Sequence, residues 1–365
     1  MSSEVIAAST RPMDVQETID VRGTPVRPHF TVVIPTHGRP STLGRCLESL
    51  VASDLPGDSE VLVVVNGADD ESAAQVRQAA AFDKRFGCIH VSRRTPAGAR
   101  NAALSQARGE IVYFLDDDVT IAPDLFSRAF AAFSARPQMD VIGGPNLTAP
   151  GSGRFERCAG LVLASPFGSG GVRARYYPLG TVRETDDHSL ILCNLAVRRN
   201  ALADLDEPFR EHLVCNEENV MLAELARRHR RMLYDPDLIV YHARRRDLVS
   251  FFWQIFKYGR GRWQNTELFP SSLSAMFLAP VVFLLYLIGL PMFVTPVGLI
   301  PLAAYLTMLL LFSAIEARRE GDPRCFAILL VLFPACHIAY PAGLLYQAAR
   351  SLLARVADPE LRSDR

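Results

Sequence analysis

A run of 43 residues without a charged side chain limits what this chain can fold into more than any other feature. No Asp, Glu, Lys or Arg occurs in residues 273–315, and three prolines divide this run into apolar segments at about 273–294 and 298–315. A third apolar segment extends over about 325–346. Each segment is close to the roughly 20 residues that a helix needs to cross a bilayer core. A buried helical domain is the alternative, but the helices of a soluble core keep a polar face toward water.

The basic residues around these segments predict the orientation of the chain. They precede the first segment or lie between the second and the third: Arg244, Arg245, Arg246, Lys257, Arg260, Arg262, Arg318, Arg319 and Arg324. The connection between the first two segments has none. Because basic residues concentrate on the cytoplasmic side, we expect a multi-pass protein of the cell (inner) membrane with its soluble domain in the cytoplasm. The sequence leaves open whether the third segment crosses the membrane or re-enters.

Shifts in composition predict the domain organisation. Residues 1–27 are polar and contain no apolar run of signal-peptide type, so we expect a disordered leader. A soluble domain is predicted over 28–245 and an interfacial amphipathic segment over 246–270. A transmembrane region with two to three helices follows over 271–348, and a tail over 349–365.

Strands alternate with helices in the soluble domain. The patterns predict strands at 30–35, 60–65, 88–91, 110–115, 141–144, 189–197 and 238–241, and helices at 43–51, 71–82, 97–107, 124–135 and 217–228. Residues 150–187 show weak periodicity, and we expect a loop-rich insertion there. The alternation implies right-handed crossovers and an α/β domain with a mostly parallel sheet. Ligands of such sheets bind at the carboxyl ends of the strands.

Charge and cysteine content narrow the range of functions. The 39 basic and 39 acidic residues cancel, so no overall field favours nucleic acid as a partner. The seven cysteines are odd in number, scattered and free of CxxC spacing. They are therefore expected to be unpaired thiols in a reducing compartment such as the cytoplasm.

Three consecutive carboxylates, Asp116, Asp117 and Asp118, end the strand predicted at 110–115. Adjacent acids repel one another unless a cation, a proton or solvent intervenes. Carboxylate oxygens suit Mg²⁺ or Mn²⁺, which proteins hold with one or two carboxylates together with substrate phosphates. Taken alone, the triplet is equally consistent with a solvated turn.

Three further features are candidates for a chemical role. Arg100 lies near a predicted helix start, where a guanidinium and free backbone NH groups meet anions. Glu217 and Glu218 open another helix, and a carboxylate that faces an acceptor hydroxyl is a suitable general base. His242 follows the last strand and can complete a metal site beside a carboxylate. Each also has an ordinary interpretation, as a capped helix, an acidic helix start or a packed histidine.

The chain resembles the family 2 glycosyltransferases with the GT-A fold in six segments that follow the family's order. They are FTVVIPTHGRPSTLGRCLESL, EVLVVVNGADDES, AGARNAALSQARGEIVYFLDDDV, CNLAVRR, NEENVMLAEL and LYDPDLIVYH. The resemblance covers about residues 29–245. It implies a GT-A nucleotide-diphospho-sugar transferase fold, with a Rossmann-like α/β sheet that is mixed but mainly parallel. It also implies an inverting transfer from a nucleotide-diphosphate sugar, with Mg²⁺ or Mn²⁺ as cofactor.

The resemblance also implies roles for the acids at the strand end. Asp116 and Asp118 match the D-x-D aspartates that face the nucleotide and its metal, with Asp118 as the usual ligand and Asp117 between them. His242 matches the histidine that approaches the metal or the diphosphate. Further matches line the nucleotide pocket of the family: Pro35, Thr36, Arg39, Asn66 and Arg100.

The catalytic pair of the family is Glu-Asp, which this chain replaces with Glu217 and Glu218. Glu218 is therefore the candidate general base, about one methylene longer than the usual aspartate. Many relatives also carry an aspartate, which often reads uracil, where this chain has Val65. Asn66 or Asp69 could substitute for it, or the donor is not a uridine compound.

These features predict a membrane-anchored hexosyltransferase-like enzyme that acts on a lipid-linked or saccharide acceptor, in polysaccharide or glycolipid biosynthesis. A nucleotidyltransferase is one alternative, but PTHGRPST is a poor version of the Gly-rich basic loop that such an enzyme needs. The other is a non-catalytic membrane scaffold that retains the fold.

The segment FFWQIFKYGRGRW, residues 251–263, precedes the first apolar segment. Aromatic residues interleave with Lys257, Arg260 and Arg262, as in helices that lie among the headgroups of membrane lipids. Gln254, Lys257 and Tyr258 match the Q-x-x-R-W motif of processive family members only loosely. We therefore favour the interfacial interpretation.

Overall fold

The computed structural model describes residues 29–272, 274–292 and 294–357. Within them, an α/β domain is followed by long apolar helices. The leader predicted at 1–27 lies outside the described residues, as do residues 358–365 of the predicted tail.

A mixed sheet forms the core of the α/β domain. Its eight strands lie side by side in this order: β3 (Phe86–Val91), β2 (Glu60–Asn66), β1 (Phe30–Thr36), β4 (Ile111–Phe114), β9 (Leu195–Arg198), β6 (Val141–Gly143), β10 (Met232–Tyr234) and β8 (Arg183–Glu184). The first four pair in parallel, whereas β9 runs antiparallel to both of its neighbours. β1 and β2 are rich in buried valine, as expected for parallel strands that are covered on both faces.

Helices cover both faces of this sheet. Those of the α/β domain are α1 (Pro40–Val51), α2 (Asp70–Phe82), α3 (Pro96–Leu104), α4 (Leu125–Ala135), α5 (Arg154–Ala164), α6 (Pro166–Ser169), α7 (Arg199–Ala203) and α8 (Glu217–Arg227). The apolar sides of α1, α2 and α4 pack on one face, and those of α3 and α8 pack on the other. The predicted helices are therefore confirmed within a few residues.

A second, three-stranded sheet fixes the position of Asp118, the last residue of the acidic triplet. It consists of β5 (Val119–Ile121), β11 (Val240–His242) and β7 (Asn146–Thr148), in that spatial order. β11 runs antiparallel to β5, with His242 opposite Val119. The NH of Ala243 also donates to the carbonyl of Asp118 at 3.0 Å. The backbone pairing thus brings His242 beside Asp118, although 124 positions separate them in the sequence.

The prediction of a loop-rich insertion at 150–187 is wrong in part. The segment contains α5, which has 11 residues, and a 3₁₀ helix at Gly170–Arg175. Cys158, Ala159 and Val162 of α5 are buried against the later apolar helices. α5 thus buries its apolar side against the later helices instead of against the sheet.

Sequence patterns missed or misplaced the shortest strands. β5, β7 and β10 have three residues each, too few for an alternation to be recognised. The strand predicted at 189–197 begins only at Leu195, after a 3₁₀ turn at Leu192–Asn194. The strand predicted at 238–241 is shifted to Val240–His242.

The C-terminal region consists of helices α9 (Leu248–Leu268), α10 (Ala275–Gly289), α11 (Ile300–Glu320) and α12 (Cys325–Ala357). Three segments of the described residues are long and apolar enough to cross a membrane: Ala275–Met292, Ile300–Glu320 and Cys325–Ala357. Charged contacts fasten both ends of α12 to the rest of the protein. Near its start, Arg154 of α5 pairs with Asp322 at 2.6 Å, and near its end Arg355 pairs with Glu267 of α9 at 2.8 Å.

Glycines allow α9 and α12 to touch backbone to backbone. A Cβ atom added to Gly259 would lie 2.0 Å from the carbonyl oxygen of Tyr340, and one added to Gly343 would lie 2.0 Å from that of Phe256. Real Cβ atoms do not approach a carbonyl so closely, so any larger residue forces the helices apart.

We expect Gly343→Ala to lower the midpoint of thermal unfolding of the full-length protein in detergent. In an open helix this change stabilises by about 1 kcal/mol, but overpacking at this contact costs about 1–3 kcal/mol. Gly57→Ala is the matched control, since no atom lies within 4 Å of the added Cβ. A midpoint that rises or stays constant in Gly343→Ala would contradict the close approach of the two helices.

Candidate active site

The ends of β1 and β4 bring together residues that are 81 positions apart. Asp117 is fully buried, and its Oδ2 accepts a hydrogen bond of 2.8 Å from the Thr36 hydroxyl. Arg39 bridges two acids of the triplet, with one nitrogen 2.8 Å from Asp117 and the other 2.7 Å from Asp118. Asp117 and Arg39 therefore hold the loop after β1 against the triplet.

Asp118 and His242 form a pair of ligand atoms suited to a divalent cation. His242 Nδ1 lies 2.8 Å from the carbonyl oxygen of Ala243 and must donate to it, because a carbonyl only accepts. In the neutral ring Nε2 then carries a lone pair, and it faces Asp118 Oδ1 at 3.2 Å. Two acceptors at this distance need a proton or a cation between them. One imidazole nitrogen and carboxylate oxygens are donors that Mn²⁺ and Mg²⁺ accept.

Asp116 lies close to His242 as well. One atom each of Asp116, Cys193 and His242 lies within 4.8 Å of the others. The Cys193 sulfur accepts a hydrogen bond from the Asn146 amide at 3.3 Å. Because sulfur is a soft ligand and hard cations prefer oxygen, the carboxylates near His242 suit a divalent cation better than the Cys193 thiol does.

Arg100 links the acidic triplet to the second pair of acids. Its guanidinium contacts Asp116 Oδ1 at 2.7 Å and Glu217 Oε1 at 2.6 Å. The side chain is buried, and α3 positions it after an N-cap in which Thr95 accepts from the NH of Gly98. The predicted pocket residue Arg100 thus joins the two halves of the site.

Glu217 and Glu218 begin α8 from an unusual backbone conformation. The preceding Asn216 has a φ of 61°, in the left-handed region that asparagine tolerates better than most residues. Contacts from α9 hold it there: Asn265 donates to the Asn216 carbonyl at 3.2 Å, and Asn216 Nδ2 donates to the Tyr258 carbonyl at 3.3 Å. The conformation of the α8 N-terminus therefore depends on α9.

Glu218 is a buried carboxyl that contacts the guanidinium of Arg175. It is 6% exposed, and its Oε1 lies 3.6 Å from Arg175 Nη1. Burial raises the pKa of Glu218 to about 7, against the opposing effect of Arg175 and with a further increase from Glu217. Arg175 is itself fixed by donation to Asn219 Oδ1 at 2.6 Å. A carboxyl with this pKa can accept a proton near neutral pH.

Asp116 of the acidic triplet and the pair Glu217 and Glu218 open on one cavity of about 530 Å³. Its polar part is lined by Arg100, Asp116, Glu217, Glu218, His242 and Arg244, and its other part by apolar side chains of α6, α10 and α12. Five of the residues predicted from the sequence thus share this cavity. Thr36, Arg39, Asp117 and Asp118 form the adjoining cluster described above.

The remaining predicted nucleotide-pocket residues have mainly structural contacts. The Asn66 side chain donates to the Arg94 carbonyl at 2.9 Å and accepts from the Arg94 NH at 2.8 Å. Asp69 caps α2 through Ser72 and accepts from the NH of Gly38 at 2.5 Å. Pro35 lies half-buried in β1. The candidate replacements for the uracil-reading acid are therefore engaged with the backbone.

Sequence reasoning missed three arginines that line the cavity, namely Arg175, Arg244 and Arg262. Arg175 lies in the segment that was expected to be a loop, while Arg244 and Arg262 were counted only as basic residues near the membrane. Arg244 donates to the Asn146 carbonyl at 2.7 Å and lies over the Tyr176 ring. Arg262 is only 4% exposed, so the prediction that it contacts lipid headgroups is wrong. For Arg175 and Arg262 a signal was available, namely their clustering with tyrosine and tryptophan in RARYY and GRGRW.

Comparison with known proteins gives a consistent result for the α/β domain. The family described as "Glycosyl transferase family 2" matches residues 31–204. The glycosyltransferase AglE of Haloferax volcanii is 24% identical over 338 residues, 90% of this chain and 99% of that protein. An N-acetylglucosaminyltransferase of Bradyrhizobium elkanii is 30% identical over 125 residues, 33% of this chain and 68% of that protein. In two further relatives, the matched part is 18% and 30% of their lengths.

Among solved structures, the mannosyltransferase PcManGT of Pyrobaculum calidifontis, in complex with GDP-Man and Mn²⁺, has a similar fold. The TM-score is 0.55 at 19% sequence identity, covering 92% of this chain and 91% of that chain.

Proposed function

Since the chain belongs to glycosyl transferase family 2, we propose that it transfers a sugar, with inversion, from a nucleotide-diphosphate sugar to a lipid-linked or saccharide acceptor. The predicted GT-A fold followed by apolar helices is confirmed. One observation carries the proposal: Arg100 contacts both Asp116 and Glu217, so the acids suited to the donor and those suited to the acceptor face one cavity.

The donor end of the cavity is the side of the acidic triplet. Asp118, Asp116 and His242 would hold Mg²⁺ or Mn²⁺, and Arg100 and Arg244 would face the phosphates of the donor. When bound there, a divalent cation offsets the negative charge that develops on the departing diphosphate. PcManGT, which has the same fold, binds GDP-Man and Mn²⁺, and this supports a divalent cation here.

Glu218 is the proposed general base. Its carboxylate accepts the proton of the acceptor hydroxyl as that oxygen attacks the anomeric carbon from the side opposite the diphosphate. The bond to the diphosphate breaks with its electron pair, so one displacement inverts the centre and no covalent enzyme intermediate is needed. Glu217 positions Arg100 between the two reacting ends.

We infer that the protein is anchored in the cell membrane with its α/β domain in the cytoplasm. The turn between α11 and α12 is fastened to α5, where Arg157 contacts Glu320 at 2.6 Å and Arg154 contacts Asp322 at 2.6 Å. This turn and the α/β domain therefore belong on the same side of a bilayer that α10 and α11 cross. The basic residues that flank the turn support the cytoplasmic side. Residues 246–270 then lie at the interface.

The proposal predicts that a nucleoside diphosphate together with Mn²⁺ or Mg²⁺ stabilises the full-length protein in detergent. Binding to the folded state raises the unfolding midpoint, so a screen of UDP, GDP, ADP and CDP with and without metal identifies the base. The matching nucleotide sugar should then be hydrolysed or used for transfer, releasing the nucleoside diphosphate. Release of inorganic diphosphate would instead indicate a nucleotidyltransferase. No stabilisation by any of the four would contradict the proposal.

A further inference from the structure

The cavity extends beyond the acids into an apolar region. There the wall is formed by α6, α10 and α12, through Phe167, Met276, Phe277, Phe283 and Tyr340. α10 is one of the apolar helices suited to cross a membrane. The same cavity therefore connects the proposed base with the region where hydrocarbon would lie.

A buried cation without an anionic partner lies between these two regions. Arg262 is 4% exposed and lines the cavity, and its Nη1 has no hydrogen-bond partner. Within residues 29–272, 274–292 and 294–357, no carboxylate oxygen lies within 4.0 Å of its guanidinium nitrogens. The guanidinium lies over the ring of Phe277 of α10, whose centroid is 4.0 Å from the guanidinium carbon.

The charged neighbours of Arg262 identify its position along the cavity. They are Arg175, Asp187 and Glu218, and burial lowers the pKa of Arg262 from its ordinary value. Arg175 is 5% exposed and contacts Glu218 at 3.6 Å. Arg262 thus lies on the side of the base, whereas Arg39 and Arg100 contact the acidic triplet.

Burying a guanidinium without a partner is costly, and the cost is recovered when an anion binds to it. A phosphate matches the planar donors of arginine. An anion at Arg262 would have the proposed base on one side and an apolar wall on the other. An amphiphile with a reacting hydroxyl, a phosphate and a hydrocarbon chain in that order matches all three neighbours.

We propose that Arg262, together with Arg175, binds the phosphate or diphosphate group of a lipid-linked acceptor, and that the apolar wall beside Phe277 holds the first part of its chain. This inference rests on the proposed function, because it concerns the acceptor of that transfer. It narrows the acceptor from a lipid-linked or free saccharide to a phosphate-bearing lipid.

Binding of farnesyl diphosphate to the full-length protein in detergent tests this site. Inorganic diphosphate serves as the probe without a chain, and farnesol as the probe without a charge. Farnesyl diphosphate should bind about tenfold or more tightly than either, since a charged hydrogen bond and apolar burial both contribute. Equal affinity for farnesyl diphosphate and inorganic diphosphate, or for farnesyl diphosphate and farnesol, would overturn the proposal.

Variants separate the two parts of the site. Arg262→Gln should weaken farnesyl diphosphate binding about tenfold or more, and Arg262→Lys should retain part of it. Arg260→Gln is the matched control, because Arg260 lies outside the cavity lining and contacts Gln347 at 3.1 Å. Ala279 of α10 lines the apolar region of the cavity. Ala279→Trp narrows this region and should weaken the binding of farnesyl diphosphate but not that of inorganic diphosphate. Unchanged binding of farnesyl diphosphate in Arg262→Gln, or in Ala279→Trp, would overturn the proposal.

Stabilisation by nucleoside diphosphate and Mn²⁺ provides the readout for the donor side. It should be the same in Arg262→Gln as in the unaltered protein. If nucleotides stabilise the protein but the binding of farnesyl diphosphate does not depend on Arg262, the proposed lipid-phosphate site is wrong and the proposed function stands. If no nucleotide stabilises it, the proposed function itself fails.

Discussion

Replacing Glu218 with Gln should lower the rate of sugar transfer about 10²- to 10⁴-fold, the range that a positioned general base contributes. Glutamine keeps the size and polarity of the side chain but cannot take the proton from the acceptor hydroxyl. Stabilisation by the donor nucleotide should remain, because Glu218 lies at the acceptor side of the cavity. The measurement is the turnover of full-length protein with saturating donor and metal.

The pH dependence of the unaltered enzyme provides a second measure of the same group. Only the ionised form of Glu218 accepts a proton, and burial raises its pKa to about 7. The turnover should therefore fall as the pH decreases through about 7, approaching about tenfold per pH unit well below it. This acidic limb should be absent from the residual activity of Glu218→Gln.

Glu224→Gln is the matched control, since Glu224 lies on the same helix and pairs with Arg228 outside the cavity. It should retain normal turnover. Turnover of Glu218→Gln within a few-fold of the unaltered enzyme, or a pH profile that is flat between 5 and 8, would contradict the assignment of the base.

Replacing Asp118 with Ala should lower transfer about 10²- to 10³-fold, comparable to the loss of an electrostatic group at a developing charge. The same change should abolish the additional stabilisation that Mn²⁺ gives to the complex with nucleoside diphosphate. Both effects follow because Asp118 Oδ1 and His242 Nε2, 3.2 Å apart, are the ligand pair proposed for the cation.

Asp118→Ala also leaves Arg39 without one of its two carboxylates, so the fold of the variant must be measured separately. Asp118→Asn keeps a hydrogen-bond acceptor for Arg39 but removes the charge, and it should show the same loss of metal response. Asp58→Ala, in the loop before β2 at the opposite end of the sheet, is the control. Normal metal-dependent turnover in both Asp118 variants would exclude Asp118 as a ligand.

The sequence predicted the acids of the site because their position is a local property. Asp116 to Asp118 follow a buried apolar run, and such a run ends where the sheet ends, so the location of the triplet could be read directly. Glu217 and Glu218 were recognised in the same way, as the start of an amphipathic helix. The proximity of His242 to Asp118 depends on the pairing of β5 with β11. This pairing could not be predicted, because strands of three residues have no recognisable sequence pattern.

The arginines of the cavity could not be recognised because their roles depend on long-range packing. An arginine near an apolar segment ordinarily faces headgroups and water. Arg262 instead points into the protein because Phe277 of α10 covers it. Arg175 reaches Glu218 only because the 3₁₀ helix after α6 is packed beside α8 and donates to Asn219. Both contacts join segments that are distant in the sequence, and the hydrophobic periodicity of each segment does not show which other segment it packs against.

The backbone contact between α9 and α12 determines which form of the protein is worth assaying. A soluble fragment that ends before α10 would lack α12, which packs against α9 at Gly259. It would therefore expose one face of α9, while the opposite face of that helix holds Asn216 in place. If such a fragment were inactive, the cause would be a disordered N-terminus of α8 beside Glu218, not the lack of a bilayer. Enzymology on this chain should begin with the intact polypeptide.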